Sequence, residues 1–453
     1  AKVALGYYGT RYQSTLNPYY GQFANMGGQA YVAAANSFTV NQQYLLTYDD
    51  TFAGVHNVDL MAGYEIFNYQ TSSLSGTKTK LFNPDMAELS NAILDPNNSS
   101  STSYYSTQGF LAQAKYDYDN KYYVSASYRR DASSRFAPQN RWGNFWSVGA
   151  AWDIKSESFM DAADQINLLK LKLSYGAQGN DDLGSGFYPY ADQYTLSNNN
   201  GEFAATLSYK GNEDITWETS YNLNGGVDFS FFDERLNGTV EGYWRRTEDM
   251  LYYKPVSPSL GYSTLPVNIG SVSNAGIEIE LDGDVVKTRN VTWNIYVNLA
   301  YNKNKVLKLD ESLKGQWING SYIYREGEAM QQFYIREYAG VNPENGASLW
   351  YMDQEKVQED AEGNPMKDEK GNPIIMKDAD GNPVMEKVTT EDYTKATRYA
   401  QGDLLPKVYG GFGTTLNAYG FDLSVACSYQ LGGKLYDNTY ASLMHNGRSG
   451  GTN

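Results

Sequence analysis

The chain is poor in the residues that usually carry chemistry. Its 453 residues include one Cys, Cys427, and two His, His56 and His445, which lie far apart in turn or loop sequence. A lone Cys closes no internal disulfide. One Cys with two His is a poor basis for Cys–His or Ser–His catalysis. Neither His sits in an HExxH or nucleophile-elbow context, and the Gly-Gly pairs at 27–28, 225–226 and 432–433 lack the surroundings of a phosphate cradle. Positive charge is also scarce. The 36 Lys and Arg face 52 Asp and Glu, a net charge of −16, which argues against nucleic acid as a partner. No apolar stretch approaches the roughly 20 residues of a helical membrane span. A β-barrel strand needs only one apolar face, so that absence leaves a barrel open.

What the chain has in abundance is aromatic: 41 Tyr, 17 Phe and 8 Trp. Rings with a polar tip suit the lipid–water boundary. They also suit stacking against sugars and peptides, or the interior of a Tyr-rich soluble β protein.

The period along most of the chain is two. In Trp293–Tyr301 one face is Trp293, Ile295, Val297, Leu299 and Tyr301, and the other is Asn294, Tyr296, Asn298 and Ala300. Leu169–Tyr175 and Phe421–Gln430 alternate in the same way. Thirteen strands are predicted, at 1–12, 38–50, 57–67, 109–118, 121–130, 143–154, 168–178, 219–231, 236–251, 275–285, 292–305, 407–417 and 421–432. Most approach the 9–11 residues of a tilted transmembrane strand. Aromatics bracket several apolar series, as Tyr122 and Tyr128 do around Val124 and Ala126, and Trp146 and Trp152 around Val148 and Ala150. These read as lipid-facing girdles, with ordinary core aromatics as the alternative.

The connections alternate in length. Asp117–Lys121, Phe232–Arg235, Val285–Val291 and Ala418–Gly420 are tight, whereas Thr71–Gln108, Asn180–Ser220 and Leu309–Pro406 are long. Short turns at one rim and large loops at the other are the mark of an outer-membrane barrel. The expected fold is therefore all-β, a transmembrane antiparallel β-barrel with short periplasmic turns and long extracellular loops. Closed bacterial barrels use even strand numbers. Thirteen is odd, so the chain is expected to be an inner section of a larger barrel, cut at both ends. Ser156–Leu168 is expected to form a short amphipathic helix.

The connection 309–406 is expected to be one long extracellular loop. It carries Asp-x-x-Gly-Asn-Pro three times, at Asp360–Pro365, Asp368–Pro373 and Asp378–Pro383. Gly free to take positive φ and Pro fixing the exit make each a turn signal. The Asp spacing suggests calcium, but the clustered ligands of an EF-hand loop are lacking, so no metal or other cofactor is assigned. Residues 353–392 hold twelve Asp and Glu against five Lys, which suits a solvated outer loop.

The stretch Tyr122–Met160 reads YYVSASYRRDASSRFAPQNRWGNFWSVGAAWDIKSESFM. It resembles a segment of the SusC/RagA family of TonB-dependent outer-membrane transporters of Bacteroidetes. Arg130, Asp131, Ser133, Ser134, Arg135, Phe136, Pro138, Asn140, Arg141, Trp142 and Gly143 lie on the family pattern. Leu169–Asn180, Trp217–Leu251, Asn268–Leu281 and Tyr409–Gly433 look like further segments in family order. The resemblance implies a section of one TonB-dependent receptor barrel of about 22 strands, without its plug domain or closing strands. It implies outer-membrane import of an oligosaccharide or oligopeptide, a SusD-like surface lipoprotein as lid, and TonB acting through an N-terminal region not seen in this sequence.

No catalytic residue emerges. Carboxylates are plentiful, but nothing picks out the positioned pair a glycosidase needs. The candidates are ring-stacking residues. Tyr123, Phe145, Tyr243 and Tyr296 have lumen parity. Tyr188, Tyr190, Trp217, Trp317, Tyr322, Tyr324, Trp350 and Tyr351 lie in outer loops. The Arg129, Arg130, Arg135 and Arg141 group reads as structural, with an anionic ligand as the alternative. The competing reading is a secreted or surface Tyr-rich β protein for carbohydrate binding or adhesion.

Overall fold

A computed structural model describes residues 1–184 and 186–443; His445 lies outside these residues. The architecture is all-β. Its main sheet has thirteen strands: β1 (Lys2–Leu16), β2 (Gln29–Phe52), β3 (His56–Leu81), β4 (Ala92–Tyr118), β5 (Tyr122–Ser133), β6 (Trp142–Asp153), β7 (Ile166–Asn180), β8 (Glu218–Phe231), β9 (Leu236–Glu248), β10 (Ser271–Lys287), β11 (Val291–Lys308), β12 (Val408–Ala418) and β13 (Phe421–Leu431). Each strand is hydrogen-bonded to its neighbours in chain order, an up-and-down meander. All thirteen predicted strands are present.

The chain divides into two compact units, Ala1–Ala300 with Gly411–Cys427, and Tyr301–Gly410 with Ser428–Asn453. In the first unit the alternation sorts side chains as the sequence predicts. Tyr122, Val124, Tyr128, Trp146 and Val148 are exposed on one face, and Tyr122 stacks on Trp152 across the β5–β6 pair at 6.4 Å. The opposite face is polar.

Short connections are built on positive-φ residues. Asp119 and Asn120 both have φ 53°, and Tyr419 with Gly420 has 48° and 87°. Paired positive φ gives the primed turns whose twist matches a hairpin.

Two expectations need correction. Thr71–Gln108 is not a loop. β3 runs on to Leu81 and β4 begins at Ala92, with Thr71 opposite Ser103 and Thr77 opposite Asn97. Ser and Thr fill these ladders, so their strands lack an apolar period and are invisible to it. β2 likewise begins at Gln29, well before the predicted 38, through the small residues Ala33–Ala35.

Ser156–Leu168 forms no amphipathic helix. It is a run of i→i+3 turns, 154 to 157, 157 to 160, 160 to 163 and 163 to 166, with one 3-10 turn at Ser158–Met160. Lys155 Nζ donates to the carbonyls of Met160 and Ala163, 3.1 Å each, which satisfies the turns without helix propagation.

The 309–406 connection joins neighbouring strands of the main sheet and carries short strands of its own. In the second unit, strands 316–319, 322–325, 332–336 and 398–403 form one sheet, and 338–341, 348–355 and 385–390 another. Between the last two lie the three Asp-x-x-Gly-Asn-Pro turns. Lys356, Met376 and Val384 close a ring of backbone bonds, each N–H reaching the next carbonyl at 2.8–2.9 Å, and Gln358, Met366 and Ile374 close a second at 2.8 Å. The repeat builds a small pseudo-threefold module.

Candidate functional site

The polar face of β3–β9 carries two ion-pair clusters. Arg129 is salt-bridged to Asp131 at 2.9 Å and to Glu65 at 3.1 Å. Lys172 bridges Asp228 and Glu241, 2.8 Å each. A concave pocket of about 580 Å³ opens on this face toward the long-connection end. Its lining includes Arg129, Phe145, Gln178, Trp217, Asn222 and Arg245. Arg245 Nε donates to Asn222 Oδ1, and the rest of its exposed guanidinium has no partner among the described residues. Arg245 was not a sequence candidate, although its parity with Tyr243 could have found it.

The polar-face aromatics are not equally available. Tyr123 donates its hydroxyl to Asn120 O, and Lys170 Nζ covers its ring at 3.9 Å. Phe145 is buried, packed edge-on against Trp217 at 5.2 Å. Glycines make its room, since a Cβ at Gly179 would fall 2.1 Å, and at Gly143 2.4 Å, from its Cζ. Trp217 also touches Phe136 at 5.5 Å and donates Nε1–H to Arg141 O at 2.8 Å. Tyr243 sits opposite Asn224 and Gly276. Tyr296 lies over Gly413, where a Cβ would come within 2.4 Å of the ring.

Of the loop candidates in this unit, Tyr188 accepts the Tyr104 N–H at 2.9 Å and Tyr190 is half-buried. In the second unit, Trp317 stacks on Tyr324 at 4.7 Å and Tyr322 packs on Phe333 at 5.1 Å. Trp350 sits between Tyr338 and Tyr393, at 5.5 and 4.9 Å. Lys387 Nζ lies 4.2 Å above Tyr351 and 4.5 Å above Tyr399. Tyr399 donates to Asp353 at 2.6 Å, and burial together with that carboxylate pushes its phenol up to about 12. Tyr338, Tyr393 and Tyr399 were not sequence candidates, because nothing local separates them from the other tyrosines of this connection.

The motif residues divide between the faces. Ser133 Oγ donates to Asp181 at 2.6 Å, and Ser134 Oγ accepts the Ser106 N–H at 2.9 Å. Arg135 pairs with Asp182 at 2.8 Å under the Tyr105 ring, Phe136 is fully buried, and Arg141 Nε donates to its carbonyl. Arg130 lies instead on the apolar face, over Trp142 at 5.2 Å.

The Asp-x-x-Gly-Asn-Pro carboxylates are engaged in their own turns. Asp360, Asp368 and Asp378 each accept two backbone N–H groups at 2.8–3.1 Å. Among the described residues, no group of three His, Cys, Asp or Glu could hold a metal.

Such a wall, with one apolar face, one polar face and long loops at one rim, defines an outer-membrane β-barrel protein. The sequence matches the TonB dependent receptor-like, beta-barrel family over residues 2–443, and the chain belongs to that family. Within it the chain is of SusC/RagA type. TonB-dependent receptor P39 of Formosa agariphila is 33% identical over 311 residues, covering 67% of this chain and 29% of that protein. TonB-dependent receptor SusC of Bacteroides thetaiotaomicron is 26% identical over 362 residues, covering 74% and 34%. The RagAB peptide transporter superposes with a TM-score of 0.74 at 26% identity, covering 94% of this chain and 45% of that one. The chain thus spans less than half the length of these relatives. With that family the apolar face meets lipid and the polar face the lumen.

Proposed function

We propose that this chain is the wall and outer rim of a TonB-dependent importer of oligosaccharides, acting with a SusD-like surface lipoprotein as lid and driven by TonB through the plug region of the whole protein. The carrying observation is the polar pocket at the long-loop end of the lumen wall, where Arg245 and Asn222 present hydrogen-bonding edges beside Trp217. Polar donors beside an aromatic suit a hydroxyl-rich or amide-rich oligomer. The chain's part is binding and passage, with no enzymatic step. A second reading, import of oligopeptides, is favoured by the likeness to a protein described as a peptide transporter.

The test is a deletion strain complemented with wild-type protein, given a labelled oligosaccharide mixture or a labelled peptide digest, with the barrel extracted in mild detergent. We expect oligosaccharide uptake to fall on deletion and a surface lipoprotein to co-purify. Loss of peptide uptake alone would select the second reading. Unchanged uptake of both, with no lipoprotein attached, would overturn the function.

A further inference from the structure

On the lipid face near the outer end of β5, one cation stands without an acid. Arg130 is exposed, and its one partner among the described residues is the Trp142 ring, 5.2 Å away. The register places Arg130 directly between Phe110 on β4 and Asn144 on β6, with Gln108 and Trp142 opposite Ala132, the next residue on the same face. Directly opposed residues have Cβ atoms about 5 Å apart, so these side chains share one patch.

The polar groups of that patch are oriented alike. The Tyr128 hydroxyl donates to Asn144 Oδ1 at 2.8 Å, and the Tyr64 hydroxyl donates to Gln108 Oε1 at 3.1 Å. Each tyrosine ties up an amide oxygen and leaves the amide NH₂ free. The indole N–H of Trp142 has no acceptor among the described residues either. The hydrogens left unused in the patch are those of a guanidinium, two amide NH₂ groups and an indole N–H, so it is rich in free donors. Phe110 stacks on Trp142 at 6.3 Å and lies tilted against Tyr64 at 4.8 Å, framing it with rings.

A cation facing lipid is costly unless something pairs it. A cation set among free donors is complementary to an anion with several acceptor oxygens. β5 runs from the short turn at 119–121 toward the connection at 134–141, so Arg130 lies at the outer-leaflet level. We propose that Arg130, Asn144, Gln108 and Trp142 form a binding site for the phosphate of a lipid A-type glycolipid of the outer leaflet.

The test uses the full-length protein, delipidated in detergent and titrated by native mass spectrometry with phosphorylated lipid A, chemically dephosphorylated lipid A, or phosphatidylglycerol. We expect phosphorylated lipid A to bind best, with Arg130→Gln weakening it about tenfold, the value of one charge-assisted contact. Arg130→Lys should weaken it less. Asn144→Leu, which keeps the charge, should give a smaller loss that reads the site even if the Gln variant fails to fold. Equal binding by Arg130→Gln and wild type, or phosphatidylglycerol binding as tightly as phosphorylated lipid A, would overturn the site.

Discussion

Ser133 and Asp181 are joined at 2.6 Å, the Ser133 hydroxyl donating to Asp181 Oδ2. The same oxygen accepts the Tyr105 hydroxyl at 2.8 Å, and the Asp181 carbonyl accepts Arg135 Nη1 at 3.1 Å. The end of β5 is thereby fastened to the first residue of the 181–217 connection.

Asp181→Ala should therefore loosen that connection. It strands the hydroxyls of Ser133, which is 1% exposed, and of half-buried Tyr105. Each unmade bond of this kind costs about 1–3 kcal/mol. Hydrogen exchange should rise at 181–184 and 186–190 while the short-turn rim stays protected. Unchanged exchange there would show that Asp181 is not the fastening.

Gly179→Ala should disrupt the lumen wall locally. The new Cβ would meet Phe145 Cζ at 2.1 Å, far inside van der Waals contact. Overpacking of this kind costs about 1–3 kcal/mol, and Phe145 packs edge-on against Trp217, so a shift of its ring reaches that indole. The measurement is tryptophan fluorescence in wild-type and Trp217→Phe backgrounds, with a spectral change expected only where Trp217 is present.

The strand count, the face of each strand and the motif segment were legible because period two and turn chemistry are local. What was hidden has physical reasons. The outer halves of β3 and β4 are Ser- and Thr-rich and carry no apolar period. The helix expected at 156–168 rested on Phe159, Ala162, Ala163 and Ile166, and a lysine cap on successive turns outweighed four apolar residues. Phe145 had the parity of a ligand-facing ring, but parity does not reveal Trp217 covering it from a distant loop.

Tyr399 gives the second unit an alkaline limit. Its folded pKa, about 12, lies above the ordinary value near 10. A raised folded pKa stabilises the folded state in full below pH 10, and that contribution is lost as pH rises toward 12. Protease cleavage within 338–403 should accelerate over that window, and Tyr399→Phe should remove the step. A step of equal size in the Phe variant would assign it elsewhere.

The pseudo-threefold module should respond to acid and not to chelator. Asp360, Asp368 and Asp378 are held below their ordinary range, chiefly by the backbone N–H groups of Asn364, Asn372 and Asn382. A lowered folded pKa places the stabilisation above the ordinary value near 3.9, and it is lost as pH falls through the lower folded value. Amide exchange at 356–384 should therefore be slow at neutral pH, with or without EDTA, and quicken relative to intrinsic rates below about pH 4. Asp368→Ala should quicken it at neutral pH, because the Lys370 and Asn372 N–H groups lose their acceptor at 2.8 and 2.9 Å. Protection that disappears with EDTA would restore the calcium reading, since turns closed by their own backbone have no use for an ion.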